Sequence, residues 1–218
     1  PYISLEGVKR ITVIHDLTHV HYPQAVQKRN LLFLWLAVKR SIKQSDVIAV
    51  PSQSTLDDIR RHYHTNSKII VAYPGYDPKD ISGELRSAVT GVTTSPFVLF
   101  IGTIEPRKNV ANLCAAFLES PLLEKGYRLI LAGNKGWGTV DIPQHEAVIQ
   151  LGSISDRERS FLLSKAAVFA FPSLFEGFGM PVVEAMQNHL PVITSHTSSI
   201  KEVANANNAY IIEAPFNT

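Results

Sequence analysis

Two carboxylates around a glycine pair carry the first chemical hint. The stretch PSLFEGFGMPVVEAM, residues 172–186, holds Glu176, then Gly177-Phe178-Gly179, then Glu184. The apolar run before it, 166–171, reads as a strand ending at the loop. Pro181 suits the first turn of a helix, so Glu176 falls in the loop and Glu184 about one turn into that helix. The Gly-Phe-Gly segment lets consecutive backbone N–H groups face one cavity, an anion nest above a helix N-terminus. Carboxylates beside a phosphate repel it unless each has hydroxyls to grip. A carboxylate accepts two strong hydrogen bonds from a diol. The ligand that suits all of this is a nucleotide sugar, with ribose at one Glu and hexose at the other. A plain helix cap, with a Glu favoured by the helix dipole, explains Glu184 equally well but leaves Glu176 unexplained.

A second loop points the same way. GTIEPRKN, residues 102–109, follows the apolar run 97–101. Gly102 permits a sharp turn beside a ligand, and Pro106 stiffens the loop. Arg107 and Lys108 precede a helix start, where unpaired N–H groups add to the same spot. An Arg fork and a mobile Lys charge can hold two phosphoryl groups. A solvated basic loop is the bland alternative and stays open. A glycosidase built on the two carboxylates is a minor alternative, because it leaves the glycine nest and the Arg-Lys pair without a role. His15, Asp16, His19 and His21 lie close in sequence but show no standard zinc spacing, so no metal is expected. There is no P-loop, and no GxGxxG opens a helix.

The elements that must position these loops alternate. Strands are read at 11–14, 47–50, 69–72, 97–101, 128–132, 148–151, 168–171, 192–194 and 210–212. Helices are read at 24–44, 54–64, 110–118, 155–164, 181–188 and 199–204. The spacings Ser54/Asp57, Ser155/Glu158 and Ser199/Glu202 suit capping boxes. Apolar strands joined by short links to helices belong to parallel sheets covered on both faces. The fold class is therefore α/β, with two Rossmann-like units. Residues 1–75 read as the closing half of a first domain, 76–95 as a connection with at most one short helix, and 96–218 as a nearly complete second domain. In such sheets ligands meet the loops at the carboxyl ends of the strands. Those loops also include AGNKGWG at 132–138 and LGSIS at 151–155.

Composition narrows the field. The chain has 218 residues, 45% hydrophobic and 18% charged, which supports one large core or two modest ones and argues against disorder. A net charge of +2 gives no reason to expect nucleic acid. The single cysteine, Cys114, rules out a disulfide framework within the chain. It reads as a buried thiol and fits a reducing compartment. The run LLFLWLAV at 31–38 is too short to cross a bilayer. Lys28, Arg29, Lys39, Arg40 and Lys43 surround it, so it reads as a core helix with a solvated basic face. The competing reading is a helix resting on an anionic membrane.

Taken together, GTIEPRKN, AGNKGWG, LGSIS, PSLFEGFGMPVVEAM and PVITSHTSSIKEVA resemble the retaining glycosyltransferases of family 4, with the GT-B fold. The resemblance covers nearly all of the chain. HDL at 15–17, VPS at 50–52 and YPG at 73–75 look like the end of that family's N-terminal domain. The resemblance implies that Lys108 binds the donor diphosphate, with Arg107 beside it. Thr103 stands where many members carry a second basic residue after the loop glycine, here Gly102. Glu176 is implied near the donor sugar and Glu184 at the ribose diol. Gly177, Phe178, Gly179 and Met180 would meet sugar and phosphate through their backbone. Gly152, Ser153 and Ile154 would meet the base, and His15 would approach the sugar from the opposing domain. The catalytic set is thus His15, Glu176, Lys108 and Arg107. Asn188-His189 departs from the usual glycine turn there and is expected to give a less strained or differently shaped helix end.

The implied activity is transfer of a hexose, mannose by preference, to a glycan or lipid-linked acceptor with retention, in cell-surface polysaccharide synthesis. The implied donor is GDP-mannose, with a UDP-sugar as the alternative, and no cofactor. A donor-binding module without turnover, a structural remnant, and a nucleotide-sugar epimerase of similar fold are the competing readings. The expected location is the cytoplasm, with a peripheral place at the inner face of the plasma membrane also open. The family's glycine-rich acceptor loop and its returning C-terminal helix find no counterpart here. The chain is therefore read as a piece of a longer protein or a partner-completed half.

Overall fold

The computed structural model describes residues 8–26, 28–76 and 82–212. The side chains of Lys28 and Arg29, counted above among the basic residues, lie outside the described residues. Two parallel sheets stand side by side. The first holds β1 (Ile11–Val13), β2 (Val47–Val50) and β3 (Lys68–Val71) in the order β1-β2-β3. The second holds β4 (Phe97–Ile101), β5 (Arg128–Ala132), β6 (Val148–Gly152), β7 (Val168–Phe171), β8 (Val192–Ser195) and β9 (Tyr210–Ile212). Their order is β6-β5-β4-β7-β8-β9. Counted within the sheet, this is the doubly wound order 3-2-1-4-5-6.

All five side chains of β4 are buried, as a central parallel strand covered on both faces requires. Leu99, Phe100, Leu129, Ile130, Leu131, Phe169 and Phe171 fill the larger core. Cys114 on α5 (Val110–Leu118) lies in that core as expected, and burial pushes its thiol up to about 11. The smaller core joins Ile14, Leu17, Ile42, Ile48, Val50, Leu56 and Ile59.

Local chemistry sets the helix ends. The helices of the first unit are α1 (Thr18–His21), α2 (Lys28–Gln44) and α3 (Gln53–His62). α4 (Ser87–Val92) follows, with Val89 and Val92 in the larger core. α6 (Pro121–Glu124), α7 (Asp156–Lys165), α8 (Met180–Gln187) and α9 (Ile200–Val203) complete the set. Ser155 and Glu158 form the expected capping box on α7. On α3 the cap is Ser52, whose hydroxyl accepts from Thr55 N–H, and not Ser54. Ser54 is already helical, and Asp57 instead accepts from the Gln53 side chain. α9 has no side-chain cap, because Ser199 and Glu202 are engaged elsewhere.

Four further expectations change. The long helix does not start at residue 24, because Pro23–Ala25 forms a separate 3-10 turn closed by extended Val26. β1 ends the sheet among the described residues, with Ile11 and Val13 exposed and Thr12 only half-buried, so it is not the buried strand expected. α2 is not simply a core helix: Val38 and Ile42 pack inward, while Leu32 and Phe33 are 64% and 70% exposed, with Trp35 and Leu36 beside them. Finally, the α8 end is not relieved at His189. His189 takes φ 55°. His189 N–H bonds Met186 C=O and Leu190 N–H bonds Ala185 C=O, a Schellman closure with histidine in the position glycine favours.

Candidate active site

The strand order of the larger sheet reverses between β4 and β7, which pair directly. A doubly wound sheet opens its ligand crevice at the carboxyl ends of those two strands. The loops leaving them are 102–109 and 172–179, the two that sequence chemistry singled out.

The two loops meet through a buried ion pair. Lys108 Nζ donates to Glu176 Oε1 at 2.5 Å, and both residues are less than a tenth exposed. The ammonium also stands 5.0 Å from the centre of the Phe171 ring, a cation–π contact. Burial lowers the Lys108 pKa below its ordinary value, the Glu176 charge opposes that, and the neighbouring Arg107 charge adds to it. Arg107 Nη1 lies 3.3 Å from Glu176 Oε2 and donates to the Phe175 carbonyl at 2.7 Å, while its Nε faces Glu105 at 2.7 Å. Arg107 therefore braces the loop as well as supplying charge. Leu174 N–H donates to the Arg107 carbonyl at 2.8 Å, which ties the two loops along their backbones.

Several residues that sequence reasoning left without a role hold Glu176 in place. The Ser173 hydroxyl lies 2.6 Å from Glu176 Oε1. The end of β8 and the segment after it supply four more hydroxyls. Those of Ser195 and Thr197 donate to the Ser173 carbonyl. Ser198 accepts from Glu176 N–H, and Ser199 donates to the Glu176 carbonyl, each at 2.8 Å. Ser198 adopts φ 45° to do this. The run SHTSS carried the signal, since adjacent hydroxyls at a strand end often bond backbone rather than water.

The other residues read from the sequence lie on α8 and on the loops leaving β4 and β6. Gly179 enters α8 in the left-handed region, φ 101°, which suits glycine. Met180 is the first residue of α8, so the positive dipole end of that helix follows directly on the 172–179 loop. Glu184 is buried on α8, but Arg159 Nη1 on α7 holds its Oε2 at 2.6 Å. Arg159 is thus a second residue missed from sequence. Gly152 ends β6 with φ 66°. The Ser153 carbonyl accepts from Arg86 Nη2 at 2.7 Å, and Ile154 packs on the core. Arg86 also clamps Glu158, with Nε 2.5 Å from Oε1. Gly102 N–H bonds the Ala132 carbonyl, and Thr103 is exposed.

The first sheet closes over the same loop. An ideal Cβ on Gly177 would lie 2.1 Å from the His15 carbonyl oxygen, so only glycine permits this approach. It brings the His15 backbone to the loop that holds Glu176, with the His15 side chain exposed. Phe178 stands 6.0 Å from Tyr73, and Phe175 stacks on His21 at 4.6 Å. The Glu202 carboxylate accepts from Gln53 N–H and Ser54 N–H, both at 2.8 Å. It therefore caps α3 across the cleft instead of its own short helix. A cleft of about 370 Å³ opens beside these contacts, lined in part by His21, Asp58, Phe175 and Lys201.

A doubly wound sheet and a smaller three-stranded parallel sheet facing one cleft, with a basic–acidic cluster at the switch point, define a fold of the GT-B kind. The sequence profile of the group 1 glycosyl transferases matches residues 83–218, and that of glycosyltransferase family 4 matches residues 2–80. The chain belongs to the group 1 glycosyl transferases. It is 28% identical to O-antigen chain mannosyltransferase B of Escherichia coli, over 93% of this chain and 57% of that protein. It is also 28% identical to O-antigen chain mannosyltransferase RfbU of Salmonella typhimurium, over 91% of this chain and 55% of that protein. Among solved structures it resembles Anabaena HepE in complex with UDP-glucose, at TM-score 0.72 and 19% identity over 93% of this chain and 58% of that one. The last likeness shows the fold alone. The chain spans about half the length of the curated relatives it matches.

Proposed function

We propose that this chain carries the donor site of a retaining glycosyltransferase, which moves a hexose from a nucleoside-diphosphate sugar to a glycan or lipid-linked acceptor. The observation that carries this reading is the buried Lys108–Glu176 pair beside the N-terminus of α8, at the switch point of the larger sheet. As the sugar leaves, negative charge grows on the diphosphate. Lys108, itself buried, meets that charge together with Arg107 and the first N–H groups of α8. Glu176 exchanges Lys108 for sugar hydroxyls when the diphosphate takes the ammonium. Glu184, steadied by Arg159, accepts the ribose diol. His15 comes to the sugar from the other side of the cleft.

Mannose is the favoured sugar and GDP-mannose the favoured donor. The support is that the two relatives described above are named as mannosyltransferases of O-antigen chains. The setting is cell-surface polysaccharide synthesis. The exposed apolar side of α2, with Lys39, Arg40 and Lys43 on the same helix, supports a peripheral contact with an anionic membrane. Among the described residues no helix is long and apolar enough to cross one.

Donor choice is tested by calorimetric titration of GDP-mannose, UDP-glucose and UDP-N-acetylglucosamine into the chain. Tightest binding of GDP-mannose is expected. Tighter binding of either UDP-sugar overturns the mannose assignment and leaves the diphosphate site standing.

A further inference from the structure

Apart from the donor loops, three side chains of metal-ligating type converge at the cleft. His21 closes α1, and Asp58 and His62 lie on α3. One donor atom from each lies within 4.8 Å of the others. The four-residue spacing sets Asp58 and His62 on one face of their helix. His21 Nε2 stands 2.9 Å from Asp58 Oδ2. That nitrogen is nevertheless buried, with no hydrogen bond aligned on it among the described residues. Asp58 is 6% exposed, and its other oxygen is 3.7 Å from Arg61, a largely exposed side chain. A buried ring nitrogen thus lies against the carboxylate of a buried Asp with no hydrogen bond of normal geometry on it. Burying such groups is costly unless something partners both. A shared cation does so: two ligands each about 2.1 Å from one zinc ion sit about 3.0–3.4 Å apart.

We infer that His21, Asp58 and His62 form a binding site for a zinc-type divalent ion, which ties α1 to α3 at the mouth of the cleft. Two imidazoles and one carboxylate suit zinc and its neighbours rather than calcium or magnesium, which take oxygen sets. Three protein ligands leave a fourth position for water or a ligand group. The sequence spacing of His15, Asp16, His19 and His21 gave no reason to expect a metal. The fold uses only His21 of those four and supplies its partners from a later helix. The same His21 ring stacks on Phe175, 4.6 Å between centres, so an ion here also fixes the ring that touches the donor loop. The site is independent of the reading of the donor loops.

The test is calorimetric titration of zinc chloride into the chelator-treated chain, with cobalt(II) absorbance as a second readout of ligation. One equivalent is expected to bind. His62→Ala changes an exposed side chain at the helix end, so its apo form should melt with the apo native chain. It should weaken zinc at least by the tenfold to hundredfold that even the loss of an outer partner costs. Asp58→Asn should weaken zinc likewise. His64→Ala, an exposed histidine two residues on, should leave affinity unchanged. The inference is overturned if the native chain binds no zinc, if His62→Ala binds it as tightly as the native chain, or if His64→Ala weakens it equally.

Discussion

Replacing Lys108 by methionine should destabilise the chain by about 3 kcal/mol, the lower end of what breaking one half of a buried ion pair costs. The lower end applies because Glu176 is not left alone. Arg107 at 3.3 Å and the Ser173 hydroxyl at 2.6 Å still face its carboxylate. Both members of the pair are about a tenth exposed or less, so solvent screens little of the interaction. Glu176→Gln should cost less than Lys108→Met. Burial lowers the Lys108 pKa and the Glu176 charge opposes that, so a neutral partner makes the buried ammonium easier to neutralise. The double variant should recover about 2 kcal/mol relative to the sum of the singles, since the two changes remove one shared interaction. Urea unfolding at pH 7 reads all three values. For a chain of this size the Lys108→Met loss corresponds to roughly 6–12 °C in melting temperature. A Lys108→Met cost under about 1 kcal/mol, with additive effects in the double variant, refutes the buried pair.

Other parts of the account make their own claims. His189→Gly should stabilise the chain by about 0.5–1 kcal/mol, because it relieves a left-handed histidine at a gain partly offset by the freer unfolded glycine; urea midpoints check this. Gly177→Ala places a methyl group 2.1 Å from the His15 carbonyl and should prise the two units apart, read as a larger radius of gyration in solution scattering. Glu158, held at about 2 chiefly by its hydrogen bond from Arg86, contributes stability that is full above its unfolded value near 4.5. That stability is lost as pH falls through about 2. Urea midpoints measured between pH 5 and pH 2.5 should therefore fall less steeply in Glu158→Gln.

The strands were legible because parallel strands buried on both faces must be continuous apolar runs, and Phe97–Ile101 and Arg128–Ala132 fall where those runs stand. β1 misled because an apolar run does not say whether a neighbour covers it. The Ser155/Glu158 box was legible because both partners are local. Glu202 had the same spacing from Ser199, yet a four-residue helix gains little from a cap, and two free N–H groups of α3 across the cleft competed better for its carboxylate. The positions of Lys108 and Glu176 in loops at strand ends were legible from residue type and order. Their pairing was not, since 68 residues separate them and only the strand order brings their loops together. Arg159 escaped notice because an arginine on a helix looks like ordinary surface, and the SHTSS hydroxyls gave a signal without naming their partners, which lie on a separate loop.

Calorimetric titration of GDP-mannose into the native, Lys108→Ala and Glu184→Ala chains tests the central claim most directly. Saturable binding is predicted, with each variant weaker by roughly tenfold to hundredfold, the effect of losing one hydrogen bond to a charged group. Free GDP should lose the same factor in Lys108→Ala, because the diphosphate makes that contact. Unchanged affinity in both variants contradicts the donor site described here.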